Sequence, residues 1–168
     1  MTKFLTLLLL TVVLSCQSES RNTTREGSFI TPSGATIKTR LAMTPPEQEQ
    51  GLSGVQPRDF DDDQGMLFYY NEDSDKFFWM PDTYFDLDLF YLDKNLVILD
   101  IVRKLAHHKG RHNEALIPRA RGVWCRHTLE MKSGSKIADS LKVGDRLIWK
   151  GSTSLEEIAS KVKNIQGD

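Results

Sequence analysis

The chain has little of several features that would place it in a class at once. Among its 168 residues are two cysteines and six prolines, and its formal charge is −1. Two cysteines cannot build the disulfide framework of a small secreted domain. A charge near zero argues against a strongly basic nucleic-acid binder and against an acidic disordered chain. The length suits one globular domain with a self-sufficient core.

Signatures of common enzymes are also missing from the sequence. No glycine-rich phosphate loop is present. Residues 51–54 lack the glycine spacing of a hydrolase nucleophile elbow, and Ser133 and Lys136 lack the companion motifs of Ser-x-x-Lys enzymes. The acids in 61–72 lack the turn glycine of a calcium loop. We therefore expect no cofactor, and the sequence favours a protein that is not an enzyme.

One long uncharged run is present, and it lies at the N-terminus. Residues 4–15 follow Lys3 and end directly before Cys16. A membrane-spanning helix needs about 20 apolar residues, so the run is typical of an export signal. Its end resembles the lipobox of bacterial lipoproteins, which implies cleavage before Cys16 and lipidation of that residue. Gln17, in place of Asp, implies sorting to the outer membrane in a cell with two membranes.

The sequence thus predicts three parts. Residues 1–15 are a lipoprotein signal peptide, 16–26 are the lipidated Cys16 and a disordered tether, and 27–168 are a single folded domain. Cys125 is then the one remaining cysteine. We expect the protein to lie outside the cytoplasmic membrane, held there by its lipid and facing the periplasm where two membranes exist.

The apolar residues of the domain follow a strand pattern. Short runs or period-two alternations are bounded by Gly, Pro, Asn or Asp; they lie at 35–43, 65–70, 77–80, 87–92, 96–102, 122–131 and 146–150. This spacing predicts a mainly β fold, a single antiparallel sandwich or barrel. Asp93-Lys94-Asn95 predicts a hairpin turn between the fourth and fifth runs.

Helices are predicted at three places. Thr44 and Glu47 form a capping-box pattern that opens a short helix in the first half of the chain. Residues 135–141 predict a further turn or two. Ser154 and Glu157 repeat the capping-box pattern before an amphipathic C-terminal helix. Its predicted apolar face carries Leu155, Ile158, Ala159, Val162 and Ile165.

The near-zero charge is the sum of two opposite segments. Residues 59–93 contain eleven acids and one base, whereas 94–126 contain eight bases, two acids and three of the four histidines. The segregation is consistent with a bipolar surface for a charged partner. It is equally consistent with hairpins whose charges pair across the fold.

Metal ligands are conceivable in the basic segment. Cys125 and His127 lie two apart on a predicted strand and would share a face, while His108 and His112 lie in a loop. These four side chains are weak candidates for a zinc site, because no pair has strong zinc spacing. A solvated basic loop and a buried free thiol explain them as well.

The densest feature is the aromatic and acidic segment 77–90. Trp79 lies beside acids and could form a platform for a ligand, or it could anchor the core. Asp88 shares a strand face with Phe90 and Leu92. Its carboxylate is therefore either exposed at a rim or buried with a partner and a perturbed pKa.

Five sequence blocks resemble one known family. They are Glu47-x-x-x-Gly51-Leu52, Gly65-Met66-Leu67-Phe68, Phe78-Trp79-Met80-x-x-Thr83 with Leu87-Asp88, Leu129-Glu130 and Leu141-Lys142-Val143-Gly144-Asp145. Their order over 35–150 is similar to that of the domain of unknown function 192 family. The resemblance implies a small, β-rich, often exported domain with no established reaction. Gln48, Ser53, Pro81-Asp82 and Asp86 depart from the residues usual in the family.

Two classes of function follow. The first is a non-catalytic envelope module that binds a small ligand or a partner protein, with a site formed from Trp79, Thr83, Asp88, Glu47 and Glu130. The second is a small hydrolase or metal-assisted enzyme that uses Asp88 with Glu130, or Cys125 with His127. Catalysis requires two titratable groups that converge on one pocket, so their placement discriminates these two classes. A third interpretation, a purely structural or assembly protein, predicts that the Trp79 region is fully buried with no pocket. The expected partners are the membrane and this ligand or envelope protein, and no nucleic acid is expected among them.

Overall fold

The strand pattern of the sequence produces a mainly β domain, as predicted. The structure is a computed structural model that describes residues 25–166. A curled seven-stranded sheet forms half a barrel, and a two-stranded sheet and three α-helices complete this described part. The predicted signal peptide, Cys16 and the tether up to residue 24 lie outside the described residues. None of the helices within 25–166 is long and apolar enough to cross a membrane.

The large sheet is antiparallel apart from one pair of strands. Its strands lie in the order β6-β5-β8-β3-β2-β1-β9, and β4 pairs with β7 in the small sheet. β2 and β3 are parallel, because the chain between them crosses over through helix α1 before it returns. The strands are β1 (Glu26–Ile30), β2 (Thr36–Ala42), β3 (Gln64–Phe68), β4 (Ser74–Lys76), β5 (Leu87–Leu92), β6 (Ile98–Leu105), β7 (Val123–Cys125), β8 (His127–Lys132) and β9 (Ile148–Trp149).

Helices α1 and α3 begin at the capping residues from which they were predicted, and a short helix forms within 135–141. In α1 (Pro45–Gln50), the Thr44 hydroxyl accepts a hydrogen bond from the Glu47 amide, and the Glu47 carboxylate accepts one from the Thr44 amide at 3.0 Å. Helix α2 spans Lys136–Ser140. In α3 (Leu155–Gln166), the Ser154 hydroxyl accepts from the Glu157 amide, and Leu155 and Ile158 are buried.

Two predicted strands are wrong in their extent. Residues 77–80 form no strand; Trp79 makes only an isolated bridge with Arg119, because Pro81 ends the extended segment. The predicted strand 122–131 is divided at Arg126. Its first part pairs in the small sheet and its second part in the large sheet.

Both faces of the large sheet are covered by apolar side chains, and β5 shows this most clearly. All of its residues are buried. Phe90 and Leu92 pack with one core cluster, together with Leu129 and Met131, while Leu87, Leu89 and Tyr91 pack with another. A strand buried on both faces reads as a continuous apolar run in the sequence.

The acidic and basic segments pair with each other inside the molecule. Two ion pairs join them, Arg103–Asp88 at 2.7 Å and Arg126–Asp73 at 2.6 Å, and the His107 ring and the Asp86 carboxylate share a hydrogen bond of 2.6 Å. These pairs give a structural reason for part of the charge cancellation that the composition shows. The hairpin predicted at Asp93-Lys94-Asn95 is confirmed and brings β5 beside β6, which places Asp88 near Arg103.

Candidate functional site

Asp88 is a structural carboxylate at a bulge between β5 and β6. The register between the strands shifts at this point, and the Asp88 carboxylate accepts the Lys104 amide at 2.9 Å and the Arg103 guanidinium at 2.7 Å. Arg103 also donates to the carbonyls of Ala138 and Leu141 at the end of α2. Through Arg103, Asp88 therefore links the bulge to α2. Both of its carboxylate oxygens accept hydrogen bonds from within the protein.

The structure does not bring Asp88 and Glu130 together. In the antiparallel β5–β8 pair, Asp88 lies opposite Met131, and Glu130 lies opposite Leu89. Residues opposite each other point to the same side, and successive residues alternate. The two carboxylates thus lie on opposite faces of the sheet, and a catalytic pair formed from them has no geometric basis.

The weak metal candidates are also separated. The prediction that Cys125 and His127 share a face is wrong, because the strand breaks at Arg126 between them. The Cys125 sulfur lies 3.9 Å from the hydroxyl of Thr128, the residue that follows His127 and faces the other way. The His108 ring contacts the His112 carbonyl at 3.2 Å rather than its ring. Within residues 25–166, no three His, Cys, Asp or Glu side chains are grouped to hold a metal.

His127 has a structural role on its face of the sheet. Its Nδ1 accepts a hydrogen bond from the Tyr70 amide at 3.2 Å, and its ring stacks on Tyr69 with centroids 4.5 Å apart. Burial, assisted by the positive charges of Arg126 and Lys76, lowers the pKa of His127 to about 4. The ring is therefore neutral at physiological pH and serves as an acceptor.

Glu130 opens on a small cavity of about 100 Å³ beside α1. Trp79 and Thr83 line the same cavity, so the structure joins three of the five predicted binding residues there. The lining includes five aromatic side chains, Phe68, Tyr70, Phe77, Phe78 and Trp79. Three aliphatic or thioether side chains, Leu52, Met80 and Leu87, and two acids, Glu49 and Glu130, line it as well. Gln48, Gln50, Ser53 and Thr83 also line it, so the cavity combines aromatic walls with a polar surface of similar extent.

Glu130 is the distinctive group of this cavity. The Glu130 residue is 4% exposed, and burial is the one cause of its pKa shift, with no hydrogen bond from the protein contributing. Since no fully enclosed side-chain oxygen within residues 25–166 lacks a partner, the Glu130 carboxyl faces the open space of the cavity. Burial alone raises the pKa of this carboxyl to about 8. Native proteins pair nearly all buried polar groups, so a carboxyl that faces a cavity without a donor from the protein is the least satisfied polar group of this site.

Two other polar side chains of the cavity are hydrogen-bonded to the backbone. The Thr83 hydroxyl donates to the Met80 carbonyl at 2.9 Å and accepts from the His108 amide at 3.1 Å. The Gln48 amide donates to the Tyr69 carbonyl at 2.8 Å. Thr83 and Gln48 therefore shape the walls, and Glu130 keeps the hydrogen-bonding capacity that a ligand could use.

Glu47 lies away from this cavity. Its carboxylate caps the amides of Met43 and Thr44 and pairs with Arg25. Sequence reasoning had no reason to place Tyr70 in the site, although it does line the cavity, where burial and nearby Glu130 raise its pKa to about 12. Its position at the end of the apolar run 65–70 gave no sign that the chain turns toward Glu130.

Fold and site together define a class: a β-rich domain, half a barrel in shape, with a small aromatic pocket over a buried acid. The chain belongs to the domain of unknown function 192 family, described as "Uncharacterized ACR", whose model matches residues 28–149. The family predicted from the sequence blocks is thereby confirmed.

Two solved structures share this fold. One is from Sinorhizobium meliloti 1021 and is described as a "putative transcription regulator"; it is 28% identical, with a TM-score of 0.58 over 74% of this chain and 92% of that one. The other, a protein of unknown function from Novosphingobium aromaticivorans DSM 12444, is 23% identical, with a TM-score of 0.58 over 74% of this chain and 84% of that one. Among curated proteins nothing matches.

Proposed function

We propose that this protein is a non-catalytic binding module of the cell envelope, which takes a small ligand, or a side chain of an envelope partner protein, into the Glu130 cavity. One observation carries the proposal. The Glu130 carboxyl is buried, has no protein donor within the described residues and faces a cavity. Because the cavity is open to this carboxyl, a bound donor can reach it, and a hydrogen bond to a charged group is worth roughly 1.5–3 kcal/mol.

The alternative, a small hydrolase or metal-assisted enzyme, has less support. Asp88 and Glu130 lie on opposite faces of the sheet, and Cys125 and His127 are also separated. General acid–base catalysis needs two groups within reach of one substrate. One buried carboxyl facing a small cavity fits binding better than it fits either reaction.

We further propose that lipid on Cys16 anchors the module outside the cytoplasmic membrane. The uncharged run 4–15, Lys3 before it and Ser15-Cys16 at its end support this proposal. Gln17 supports an outer-membrane position facing the periplasm in a cell with two membranes. The membrane is then one partner of the protein, and the ligand of the cavity is the other. The formal charge of −1 does not favour nucleic acid as a third partner.

Binding is tested on the full chain, purified in detergent, by thermal unfolding with a panel of small amines, acids, alcohols and amides. We expect at least one chemical class to raise the melting temperature. Leu52→Phe narrows the cavity, since Leu52 lines it and is 3% exposed, and should abolish the shift. A panel without any shift, or a shift that survives Leu52→Phe, would contradict the proposed site.

The anchor is tested separately by mass spectrometry of the N-terminal peptide from membrane-purified protein. We expect an acylated Cys16 as the first residue. An N-terminus elsewhere, or an unmodified Cys16, would refute the lipoprotein proposal and leave the binding proposal intact.

A further inference from the structure

We propose that the group bound in the Glu130 cavity is an organic cation: a primary ammonium at the end of a short alkyl chain, with its N–H groups bonded to the Glu130 carboxylate. The inference rests on the proposed binding function and names its ligand class. It is drawn from the charge of the lining, the aromatic rings, the hydrogen-bonding need of Glu130 and the size of the cavity.

The charge of the lining favours a cation. Glu49 and Glu130 are its acids, and no Lys, Arg or His is among the residues that line the cavity. An anionic ligand would find no basic partner there. A cation can pair with the carboxylate that Glu130 becomes when it gives up its proton, and the low dielectric of the interior enlarges that interaction.

The aromatic rings favour the same charge. Positive groups are stabilised over the electron-rich faces of aromatic rings. Two rings of this cavity already hold cations of the protein itself: the Lys76 ammonium lies 3.6 Å from the Tyr70 ring centre, and the Arg119 guanidinium lies 5.0 Å from that of Trp79. The rings of Phe68 and Phe78 line the cavity as well and hold no such cation within the described residues.

Hydrogen bonding selects an ammonium that carries N–H groups. The Glu130 carboxylate has no donor among the described residues, and the Thr83 hydroxyl and Gln48 amide donate to backbone carbonyls. The ligand must therefore supply the donors. A quaternary ammonium has none, whereas a primary ammonium has three. Charge-assisted hydrogen bonds of this kind are among the strongest in proteins.

Size selects a short alkyl chain. A volume of about 100 Å³ is smaller than the cavity of about 150 Å³ that holds a benzene molecule. A sugar ring or a nucleobase would not enter. A linear chain of a few carbons, as in a small alkylamine or the end of a lysine side chain, fits between the apolar walls of Leu52, Phe78 and Leu87.

Binding of an ammonium ion would release a proton. At pH 7 the empty site holds Glu130 as the neutral acid, since its pKa is about 8. When the cation enters, Glu130 becomes a carboxylate paired with the ammonium, and its proton passes to the buffer. A neutral ligand leaves that proton in place, so proton release distinguishes the two ligand classes.

The ionisable groups near Glu130 do not take over this role. Burial raises the pKa of the Tyr70 hydroxyl to about 12 and raises that of Tyr91 on β5. Burial also raises the pKa of the Cys125 thiol on β7. These groups are neutral at pH 7, Glu49 on α1 is exposed, and the Lys76 ammonium on β4 lies over Tyr70.

The test is isothermal titration calorimetry at pH 7 on the full chain in detergent, with butylammonium, tetramethylammonium, butanol, butyramide and butyrate as probes. Repeating the titration in buffers of different ionisation enthalpy counts the protons released. We expect butylammonium to bind best and to release roughly one proton. Glu130→Gln should weaken its binding roughly 10- to 100-fold and abolish the release. Glu157→Gln, which removes an exposed acid from α3, should change neither.

The outcomes separate this inference from the function on which it rests. Binding of butanol or butyramide as tight as that of butylammonium, without proton release, would overturn the cation and leave a binding module. Equal binding of tetramethylammonium would overturn the requirement for N–H donors. If no probe binds, and Leu52→Phe and Glu130→Gln leave every titration unchanged, both the ligand class and the proposed function fail.

Discussion

Glu130 should make the stability of the folded protein fall as the pH rises, which is unusual for a carboxyl group. Burial raises its pKa from 4.5 to about 8. Between these values the unfolded chain has lost the proton and the folded chain still holds it. The contribution of Glu130 to the free energy of unfolding is therefore fully present below pH 4.5, and this contribution is lost progressively as the pH rises to about 8.

The size of the effect follows from the displacement of the pKa. One pKa unit corresponds to about 1.4 kcal/mol, so a pKa raised to about 8 removes about 5 kcal/mol from the free energy of unfolding by the alkaline end of the window. Glu130→Gln keeps the size and hydrogen-bonding shape of the side chain but has no proton to lose. Relative to the wild type, the variant should gain stability as the pH rises, by up to that amount.

The assay is urea unfolding followed by tryptophan fluorescence, at intervals from about pH 4 to about pH 9. The informative quantity is the difference between the two proteins, because His127 and the other titrating groups are present in both and cancel. Glu157→Gln serves as the control, since Glu157 is exposed; it should run parallel to the wild type. A difference between Glu130→Gln and wild type that stays constant with pH would refute the assignment of Glu130 as a buried, unpaired acid.

Four further predictions rest on single contacts. Asp88→Asn should lower the free energy of unfolding by about 3 kcal/mol in urea titrations, because it removes the charge that pairs with Arg103 in the fold; it should leave binding in the Glu130 cavity unchanged, and an unaltered stability would contradict the structural role. Burial lowers the pKa of His127 from 6.5 to about 4, so the neutral His127 ring stabilises the fold above pH 6.5, and this contribution is lost as the pH falls toward about 4. The melting temperature of His127→Gln should therefore fall less with acid than that of the wild type. An equal fall in both proteins would count against a buried neutral ring. Gly65→Ala should cost about 1–3 kcal/mol by chemical denaturation, since the added carbon would lie 2.8 Å from a Leu129 methyl group in the core; a neutral result would show that the Leu129 side chain can shift to make room. Thr44→Ala removes the cap of α1 and should cost about 1 kcal/mol in the same assay, with Thr44→Ser retaining most of the stability.

The local elements of this protein were set by short-range sequence signals. The capping box at Thr44 starts α1, Ser154 starts α3, and the turn after β5 produces the predicted hairpin. Each depends on contacts between residues a few positions apart, so the sequence alone is sufficient to predict them. The family blocks likewise lie in the sequence and require no structure.

The pairing of distant segments required the tertiary structure. The parallel arrangement of β2 and β3, and the division of 122–131 between two sheets, depend on which strand edges meet. Local periodicity is the same for either pairing, so it could not distinguish them. Cys125 and His127 consequently looked like neighbours on one face, although the break at Arg126 separates them.

The candidate site likewise has features that the sequence predicted and features that required the tertiary structure. Sequence reasoning selected Glu130, Trp79 and Thr83 as polar or aromatic residues in characteristic blocks, and selected Asp88 by the same criterion. It could not tell that Asp88 would find Arg103 while Glu130 would find no donor in the described residues and open on a cavity. The sequence gives the type of a side chain, but its hydrogen-bond partners and its access to solvent are fixed only when distant strands pair. Those partners and that access decide whether a buried acid stabilises the fold or remains available to a ligand.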